Sequence, residues 1–337
     1  MPANKGTIGQ FGEFPLIESL FHRQRTFPDD VRIGIGDDAA VLAAAGDDDW
    51  VAAVDTVTEG VHAIPGDDAA AFGWKAVAVN VSDLAAMGAM PRHALVAASL
   101  PANMATARAE ALAEGLHDAL AEWGVTLVGG DTVAARSGPL SLSVTLLGRA
   151  AEGASLRRGG ARPGDTVYVT GTPGDSAAGL ALLAQPPSDW LTAYDWLVAR
   201  HRRPRPPLAF GRGIAGAASA GIDVSDGLVA DLGHIAAASQ VGIELDIDRL
   251  PLSAPMGEWA WAAGIDPKRY ALTGGEDFEL AFTAGGDAFE ALHRAKYTTD
   301  TRFTAVGRVV AERPGAVFGP GVPADGGWDH FAAEADS

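Results

Sequence analysis

Cysteine is absent from the 337-residue sequence. Disulfides, thiolate nucleophiles and cysteine-ligated zinc or iron–sulfur centres are therefore excluded, and a bound metal must use oxygen or histidine ligands. The sequence also lacks any run of Lys and Arg, and 43 acidic against 25 basic residues give a net charge of −18 at pH 7. This charge disfavours binding to a nucleic-acid backbone or to an anionic membrane.

Long apolar runs are missing as well. No stretch reaches the roughly 18 uninterrupted apolar residues that a membrane-spanning helix needs, and the N-terminal residues lack a basic region followed by an apolar core. We therefore expect a cytoplasmic protein. The 47% share of hydrophobic residues is ordinary for a chain that folds around a core.

The length predicts two domains, at about 100–200 residues per domain. A passage rich in Gly, Arg and Pro begins after residue 150, and we place the boundary there, between domains 1–150 and 151–337. Hydrophobic periodicity predicts mixed elements in both, and hence an α+β fold. The predicted helices are 12–25, 67–87, 104–123, 175–184, 208–219 and 228–239. The predicted strands are 50–56, 93–100, 126–130, 139–148, 166–170, 220–224, 242–247, 278–284 and 302–309.

The positions of certain aspartates are unusual for an acidic protein, whose carboxylates mostly lie on solvated faces. Each follows an apolar run, lies between glycines and an apolar run, or lies at the end of a short strand, and there we expect a strand to give way to a turn. These residues are Asp37, Asp38, Asp55, Asp131, Asp223 and Asp226.

Asp83 is the only charged residue between Ala76 and Pro91, in an apolar segment with helical periodicity. A charged side chain is rarely buried unless it is paired or bound to a metal. A helix cap or an Arg partner would explain Asp83 structurally. Asn80, one helical turn earlier on the same face, favours a functional role.

Several carboxylates gathered in space repel one another unless a cation neutralises them. Mg²⁺ prefers oxygen ligands and usually bridges one or two carboxylates to substrate phosphates. The aspartates therefore favour magnesium and phosphate chemistry over zinc. Glycoside hydrolysis by a carboxylate pair is the competing enzyme hypothesis, but it uses only two of these residues.

The sequence contains no P-loop, and no G-x-G-x-x-G segment follows a predicted strand and opens a helix in a βαβ unit, so neither a P-loop nor a dinucleotide-binding site is supported. The glycine-rich segment 171–179 fits either an anion site at a helix start or a turn with Asp175 or Ser176 as N-cap. Arg157 and Arg158 are candidate phosphate ligands, or else parts of an exposed loop.

A set of motifs resembles the thiamine-monophosphate kinase family, in that family's order and over nearly the whole chain. The motifs are GIGDDAA, NVSDLAAMGA, GGDT, RRGGARPGD, GTPGDSAAGL, IDVSDGLVADLGH, TGGEDFEL and GWDHF. The GDDAA and GGDT motifs also resemble those of the wider aminoimidazole ribonucleotide synthetase-like superfamily.

The resemblance implies two α+β domains and a homodimer in which the N-terminal domains form a joint β-barrel. It also implies ATP- and Mg²⁺-dependent phosphorylation of thiamine monophosphate to the diphosphate. Several Mg²⁺ ions would bind Asp38, Asp55, Asp83, Asp131, Asp223 and Asp226, with Asp83 and Asp226 essential to catalysis. ATP contacts would be Gly130, Asp131, Arg158 and Ser225, and substrate contacts His62, Glu276 and Trp328.

Two alternatives stay open. The first is another ATP-dependent synthetase of the superfamily, which would activate an amide or formyl oxygen as a phosphate ester. The second is a non-catalytic sensor in which Mg–ATP binding shifts a dimer equilibrium. Release of ADP only in the presence of thiamine monophosphate would separate both from the kinase.

Overall fold

The computed structural model describes residues 27–28, 31–33, 41–42, 48–186, 192–323 and 327. Backbone contacts divide the chain into two compact units. The first comprises the described residues of Met1–Leu84 and Ala89–Gly153, and the second those of Ala85–Gly88 and Ala154–Ser337. The predicted boundary at residue 150 lies within the last strand of the first unit, which ends at Ala151.

The strands of the first unit are β1 (Val31–Ile33), β2 (Val41–Leu42), β3 (Asp48–Thr58), β4 (Met90–Pro101), β5 (Thr126–Ala135) and β6 (Ser141–Ala151). Four of them form a sheet in the order β3-β6-β4-β5, and β1 pairs only with β2 among the described residues. In the sheet, β3–β6 and β4–β6 are antiparallel neighbours, whereas β4 and β5 are parallel.

Two helices, α1 (Ala69–Ala86) and α2 (Thr106–Glu122), accompany this sheet. They cross closely at glycines. A Cβ on Gly73 would overlap the carbonyl oxygen of Leu112, and one on Gly115 would overlap that of Ala70. Because no larger residue fits, the two glycines fix where the helices meet.

The strands of the second unit are β7 (Thr166–Thr170), β8 (Ala220–Val224), β9 (Gly242–Leu245), β10 (Glu279–Ala284), β11 (Phe303–Val310) and β12 (Val317–Phe318). They form a six-stranded sheet in the order β12-β9-β11-β7-β10-β8. All neighbours are antiparallel except β12 and β9.

Two apolar clusters lie in the second unit: one joins the sheet to the helices 228–239 and 267–273, and the other lies among the helices 175–184, 193–202 and 254–263. The helices of this unit are α3 (Asp175–Ala184), α4 (Ala193–Arg202), α5 (Leu208–Ile214), α6 (Leu228–Ser239), α7 (Ala254–Ala263), α8 (Pro267–Thr273) and α9 (Phe289–Thr299), with short 3₁₀ turns at Ile247–Arg249 and Gly286–Ala288. Pro at the start of α7 and α8, each after an N-cap whose side chain accepts a backbone N–H, explains where those helices begin.

The predicted α+β class is confirmed, and most predicted elements agree with the structure to within a few residues. Helix α5 ends at Ile214, earlier than the predicted 219. Helices α4, α7, α8 and α9 were not predicted. The predicted helix 12–25 lies outside the described residues. Within the described part of the chain, no helix is long and apolar enough to cross a membrane.

Candidate active site

The loop after β8 brings three of the predicted site residues together. Asp223 lies in β8 and is almost completely buried, and Ser225 and Asp226 follow in the loop before α6. Gly227 ends the loop with a φ of +121°, and a Cβ there would meet the backbone of Thr273. Only glycine fits both the conformation and the space.

Asp231 on α6 holds this loop in place. One oxygen of its carboxyl, Oδ2, accepts hydrogen bonds from the backbone N–H groups of Ser225, Asp226 and Gly227, at 3.0, 3.1 and 3.1 Å. Burial, helped by the charges of Asp223 and Asp226, raises the pKa of Asp231 to about 8. Asp231 therefore keeps its proton at neutral pH, and the negative charge beside it belongs to Asp223 and Asp226.

The GGED segment, residues 274–277, lies beside this loop. Glu276 donates its backbone N–H to Ser225 O at 2.7 Å, and Phe278 donates to Val224 O at 2.8 Å. A Cβ on Gly275 would meet Ser225 O at 2.6 Å. The structure thus brings Glu276, a predicted substrate contact, next to Ser225, a predicted ATP contact.

Asp277 caps the beginning of α3. Its Oδ2 accepts from Gly174 N at 2.5 Å, and its Oδ1 accepts from Ser176 N at 3.0 Å. Burial raises the pKa of Asp277 to about 8. The suggested anion site in 171–179 is therefore occupied by a carboxyl group of the chain itself, and the N-cap is Gly174 rather than Asp175 or Ser176.

A partly buried arginine accompanies Asp277. Arg200 on α4 contacts Glu279 Oε1 at 2.6 Å, and the second oxygen of Glu279 accepts from Thr170 Oγ1 at 2.6 Å. The charge of Arg200 also acts on Asp175, whose pKa is raised by burial to about 6. The polar cluster below the GGED segment thus contains its own positive charge.

In the first unit, His62 lies in a turn that follows β3, and polar contacts stabilise this turn. Its Nδ1 accepts from Thr58 N at 3.0 Å, and its carbonyl oxygen accepts from Lys75 Nζ at 2.9 Å. Glu59 accepts from Gly66 N at 2.6 Å and pairs with Arg108 at 2.7 Å. Because Nδ1 is an acceptor, the neutral ring carries its proton on Nε2.

Asp55 and Asp131 do not end their strands as predicted. Both lie inside long edge strands, β3 and β5, which continue for three and four residues beyond them. The register pairs Asp55 with buried Val144 and Asp131 with exposed Ala97. The two carboxylates therefore lie on opposite faces and opposite edges of the sheet, about 14 Å apart at three strand spacings, and they do not share one ion within this sheet.

The glycine before Asp131 has a structural cause. A Cβ on Gly130 would overlap the carbonyl oxygen of Val96 on the neighbouring strand. The GGD sequence indicated a turn, but it is a strand segment in which the backbones approach closely.

Asp83 lies on α1, as predicted, and is partly buried. Asn80, one turn earlier, is fully buried; its Nδ2 donates to Ala76 O at 3.1 Å, and its Oδ1 has no hydrogen-bond partner. A buried oxygen without a donor costs free energy unless a cation or water contacts it. This oxygen fits a cation ligand beside Asp83.

Arg158 is exposed, and its carbonyl oxygen accepts from Ser239 Oγ at 3.2 Å, at the last residue of α6. The acidic loop lies at the other end of that helix, about 17 Å away for 12 residues. The structure therefore does not bring the backbone of Arg158 to the loop of Ser225, and its predicted ATP contact stays a prediction.

The donor set fits a hard divalent cation, because the candidates are carboxylate and amide oxygens, which are the ligands that Mg²⁺ prefers. Within the described ranges, no group of three or more His, Asp and Glu side chains is placed to hold a metal ion by itself. Asp37, Asp38 and Trp328 lie outside the described residues. The metal roles therefore stay predictions.

A cavity of about 590 Å³ lies beside the acidic loop, with Thr273 and Gly327 in its lining. The backbone of Thr273 lies against Gly227, and a Cβ on Gly327 would meet Asp226 O at 3.1 Å. Its volume is in the range of small-molecule sites.

Sequence reasoning missed the residues that support the site: Asp231, Asp277, Arg200 and His201. Asp231 had a detectable signal, because it is a lone acid in the apolar helix 228–239, the pattern that singled out Asp83. The other three have no such signal, since their partners lie 25 to 103 residues away in the chain.

Two family models match the chain: the AIR synthase related protein N-terminal domain over residues 36–150 and the corresponding C-terminal domain over residues 162–319. The chain is 42% identical over 330 residues to the thiamine-monophosphate kinase of Escherichia coli K12, covering 95% of this chain and 98% of the relative. The crystal structure of thiamine-monophosphate kinase from Stenotrophomonas maltophilia K279a matches with a TM-score of 0.81 and 40% identity, over 94% of this chain and 98% of that one.

A structure described as AaThiL complexed with AMPPCP and TMP matches with a TM-score of 0.78 and 33% identity, over 94% of this chain and 96% of that chain. The two matched domains and the fold define a protein of the AIR synthase related class. Within that class, the chain belongs to the thiamine-monophosphate kinase family. The resemblance found in the sequence is thereby confirmed.

Proposed function

We propose that this protein transfers the γ-phosphoryl group of ATP to thiamine monophosphate, producing thiamine diphosphate and ADP. The observation that carries the proposal is the near full-length match to a structure described as complexed with AMPPCP, an ATP analogue, and TMP. Full-length relatives of that name at 42% identity support the same assignment.

The chemistry of the acceptor explains the type of residue at the site. A phosphomonoester has a second pKa near 6 and is largely dianionic at neutral pH, so no general base is needed. A phosphate oxygen of thiamine monophosphate forms a bond to the γ-phosphorus while the bond to the β–γ bridging oxygen breaks, and ADP leaves with that electron pair. The obstacle is repulsion between two anions.

We assign Mg²⁺ ligation to the aspartates that the resemblance indicates: Asp38, Asp55, Asp83, Asp131, Asp223 and Asp226. Bound Mg²⁺ would neutralise charge on the phosphates and on the carboxylates. Asp223 and Asp226 are supported by their concentrated charge next to Asp231. Asp83 is supported by the buried oxygen of Asn80 one turn away.

We assign ATP contacts to Gly130, Asp131, Arg158 and Ser225, and substrate contacts to His62, Glu276 and Trp328. The Nε2–H tautomer of His62 suits a hydrogen bond to a phosphate oxygen. The carboxylate of Glu276 suits the permanently cationic thiazolium ring.

The proposed homodimer is supported by the open face of the first unit's sheet. On this face Val54 is 64% and Val133 51% exposed, with Trp50 and Leu95 also exposed, and the strand register places the four side chains on the same face. Apolar residues exposed together on a sheet face, without cover from the described part of the chain, need a partner surface. Analytical ultracentrifugation tests the proposal, and a monomer at micromolar concentration would contradict it. The cytoplasmic location stays a prediction.

The kinase is tested by mixing the protein with Mg–ATP and thiamine monophosphate. We expect thiamine diphosphate and ADP in equal amounts, with little ADP when thiamine monophosphate is omitted. ADP without the diphosphate would favour another synthetase, and ATP binding without ADP would favour a sensor. A phosphorylated protein after incubation with labelled ATP alone would refute direct transfer.

A further inference from the structure

The backbone at Glu276 is strained. Glu276 has a φ of +64° and Phe278 a φ of +53°, so two non-glycine residues in the left-handed region flank Asp277. Such conformations cost free energy and persist only where the surroundings hold them. Such strain points to a side chain that is held in one particular direction.

The backbone on both sides of Glu276 is fixed by partners outside the segment. Glu276 N and Phe278 N donate to carbonyl oxygens of the β8 strand and loop, at 2.7 and 2.8 Å, and Asp277 accepts from Gly174 N and Ser176 N. These contacts fix the main chain but leave the carboxylate of Glu276 to be oriented by something else.

His201, at the end of α4, lies behind that carboxylate. Its Nδ1 is 3.5 Å from Glu276 Oε2 and 3.1 Å from Ser176 Oγ. The His201 side chain is 3% exposed and that of Glu276 is 22% exposed. The histidine therefore contacts the carboxylate from the protein side, while the carboxylate reaches solvent.

Ser176 is itself held by the anchor of the GGED segment. It is fully buried, and its backbone N–H donates to Asp277 Oδ1 at 3.0 Å. A closed chain of contacts thus runs from Asp277 through Ser176 and His201 to Glu276. One buried acid fixes both the backbone of Glu276 and the serine against which the histidine rests.

We propose that His201 is a positioning residue that holds the Glu276 carboxylate toward the cationic ring of the substrate, and that Ser176 fixes His201 for this purpose. The inference rests on the proposed function and deepens it. A carboxylate held in place before binding loses less conformational freedom when it pairs with the cation. The effect belongs to binding of the organic cation, and not to ATP binding or to phosphoryl transfer.

The test uses the full-length protein and steady-state kinetics, varying thiamine monophosphate at saturating Mg–ATP and then the reverse. His201→Leu, which keeps a similar volume without a polar atom, should raise the KM for thiamine monophosphate about tenfold. The kcat and the KM for ATP should stay within about twofold. His201→Asn keeps a polar atom near the position of Nδ1 and should recover most of the affinity.

A double-mutant cycle decides whether the effect passes through Glu276. In a Glu276→Gln background, His201→Leu should cost much less than in the parent, because the carboxylate it orients is gone. An unchanged tenfold cost there, or an equal rise in both KM values, would overturn the proposal. Calorimetric titration of thiamine monophosphate into each variant gives the same comparison without turnover.

Leu197→Ala is the matched packing control, because Leu197 is fully buried on the same helix. It should lower the thermal midpoint and leave the KM for thiamine monophosphate unchanged; a rise equal to that of His201→Leu would make the histidine merely structural.

If His201→Leu fails to fold, Ser176→Ala and His201→Asn carry the test, and a KM for thiamine monophosphate unchanged in Ser176→Ala would contradict the role of Ser176. A parent protein that makes no thiamine diphosphate refutes the proposed function. An active parent whose variants do not raise the KM for thiamine monophosphate selectively refutes only this inference.

Discussion

The acidic loop 223–227 and the GGED segment are each fixed by an aspartate side chain that hydrogen-bonds to backbone N–H groups, but the charges around the two aspartates differ. Each has a nearly buried aspartate whose carboxyl accepts backbone N–H groups, Asp231 for the loop and Asp277 for the start of α3. Burial raises the pKa of both to about 8. The charge of Arg200 lowers the pKa of Asp277, whereas Asp223 and Asp226 raise that of Asp231 further.

The difference separates structure from function. The GGED cluster, by which we mean Asp175, Arg200, Asp277 and Glu279, contains a guanidinium that compensates the carboxylates, as a structural core must. The acidic loop gathers negative charge that a cation from outside would neutralise. We therefore expect changes in the loop to affect activity and metal response, and changes at Arg200, Asp277 or Glu279 to affect folding.

The largest expected effect is on catalysis in the loop. Asp226→Asn should lower kcat by about a thousandfold or more, equivalent to about 4 kcal/mol of transition-state stabilisation, because a charged metal ligand is lost. The fold should be retained, since the backbone N–H of residue 226 still donates to Asp231. Asp83→Asn should behave likewise, as judged by initial rates and circular dichroism.

The control for this comparison is Asp195→Asn, an exposed acid on α4, which should leave kcat unchanged. The parent should also gain thermal stability from Mg²⁺ by mass action, and Asp226→Asn should gain less. An Asp226→Asn protein with near-parental kcat and the full Mg²⁺ response would remove the loop from the metal site.

The next effect is on folding in the GGED cluster. Arg200→Met should destabilise the protein by about 3 kcal/mol, because it leaves the buried carboxylate of Glu279 without its partner. Urea unfolding measures the change, and Mg²⁺ should not restore the loss. A variant as stable as the parent, or one rescued by Mg²⁺, would erase the distinction between the two clusters.

The smallest effect, taken over one pH unit, is on the pH dependence of stability. A carboxyl with a pKa of about 8 when folded and 3.8 when unfolded holds a proton that unfolding releases, so stability falls as pH rises from about 4 to 8. Asp277→Asn should remove up to about 1.4 kcal/mol per pH unit from this slope. Urea unfolding from pH 5 to 8 without divalent cations measures it, and an identical slope in parent and variant would show that Asp277 does not titrate there.

Local patterns in the sequence were sufficient for most of the elements and for the residue types at the site. Strand β8 and helix α6 were predicted with the bounds that the structure has, because strong periodicity between glycines leaves little ambiguity. Helices α4 and α9 were missed, since their apolar positions are sparse and their burial depends on neighbours distant in the chain.

What the sequence determined by itself is the acidic, oxygen-only chemistry and the order of motifs, because both are properties of residue type and spacing. Only the tertiary structure decided that Asp55 and Asp131 face opposite ways, that Asp277 occupies the start of α3, and that His201 lies behind Glu276. Strand register and contacts between residues more than 70 positions apart fix these relations, and neither is written in any local pattern.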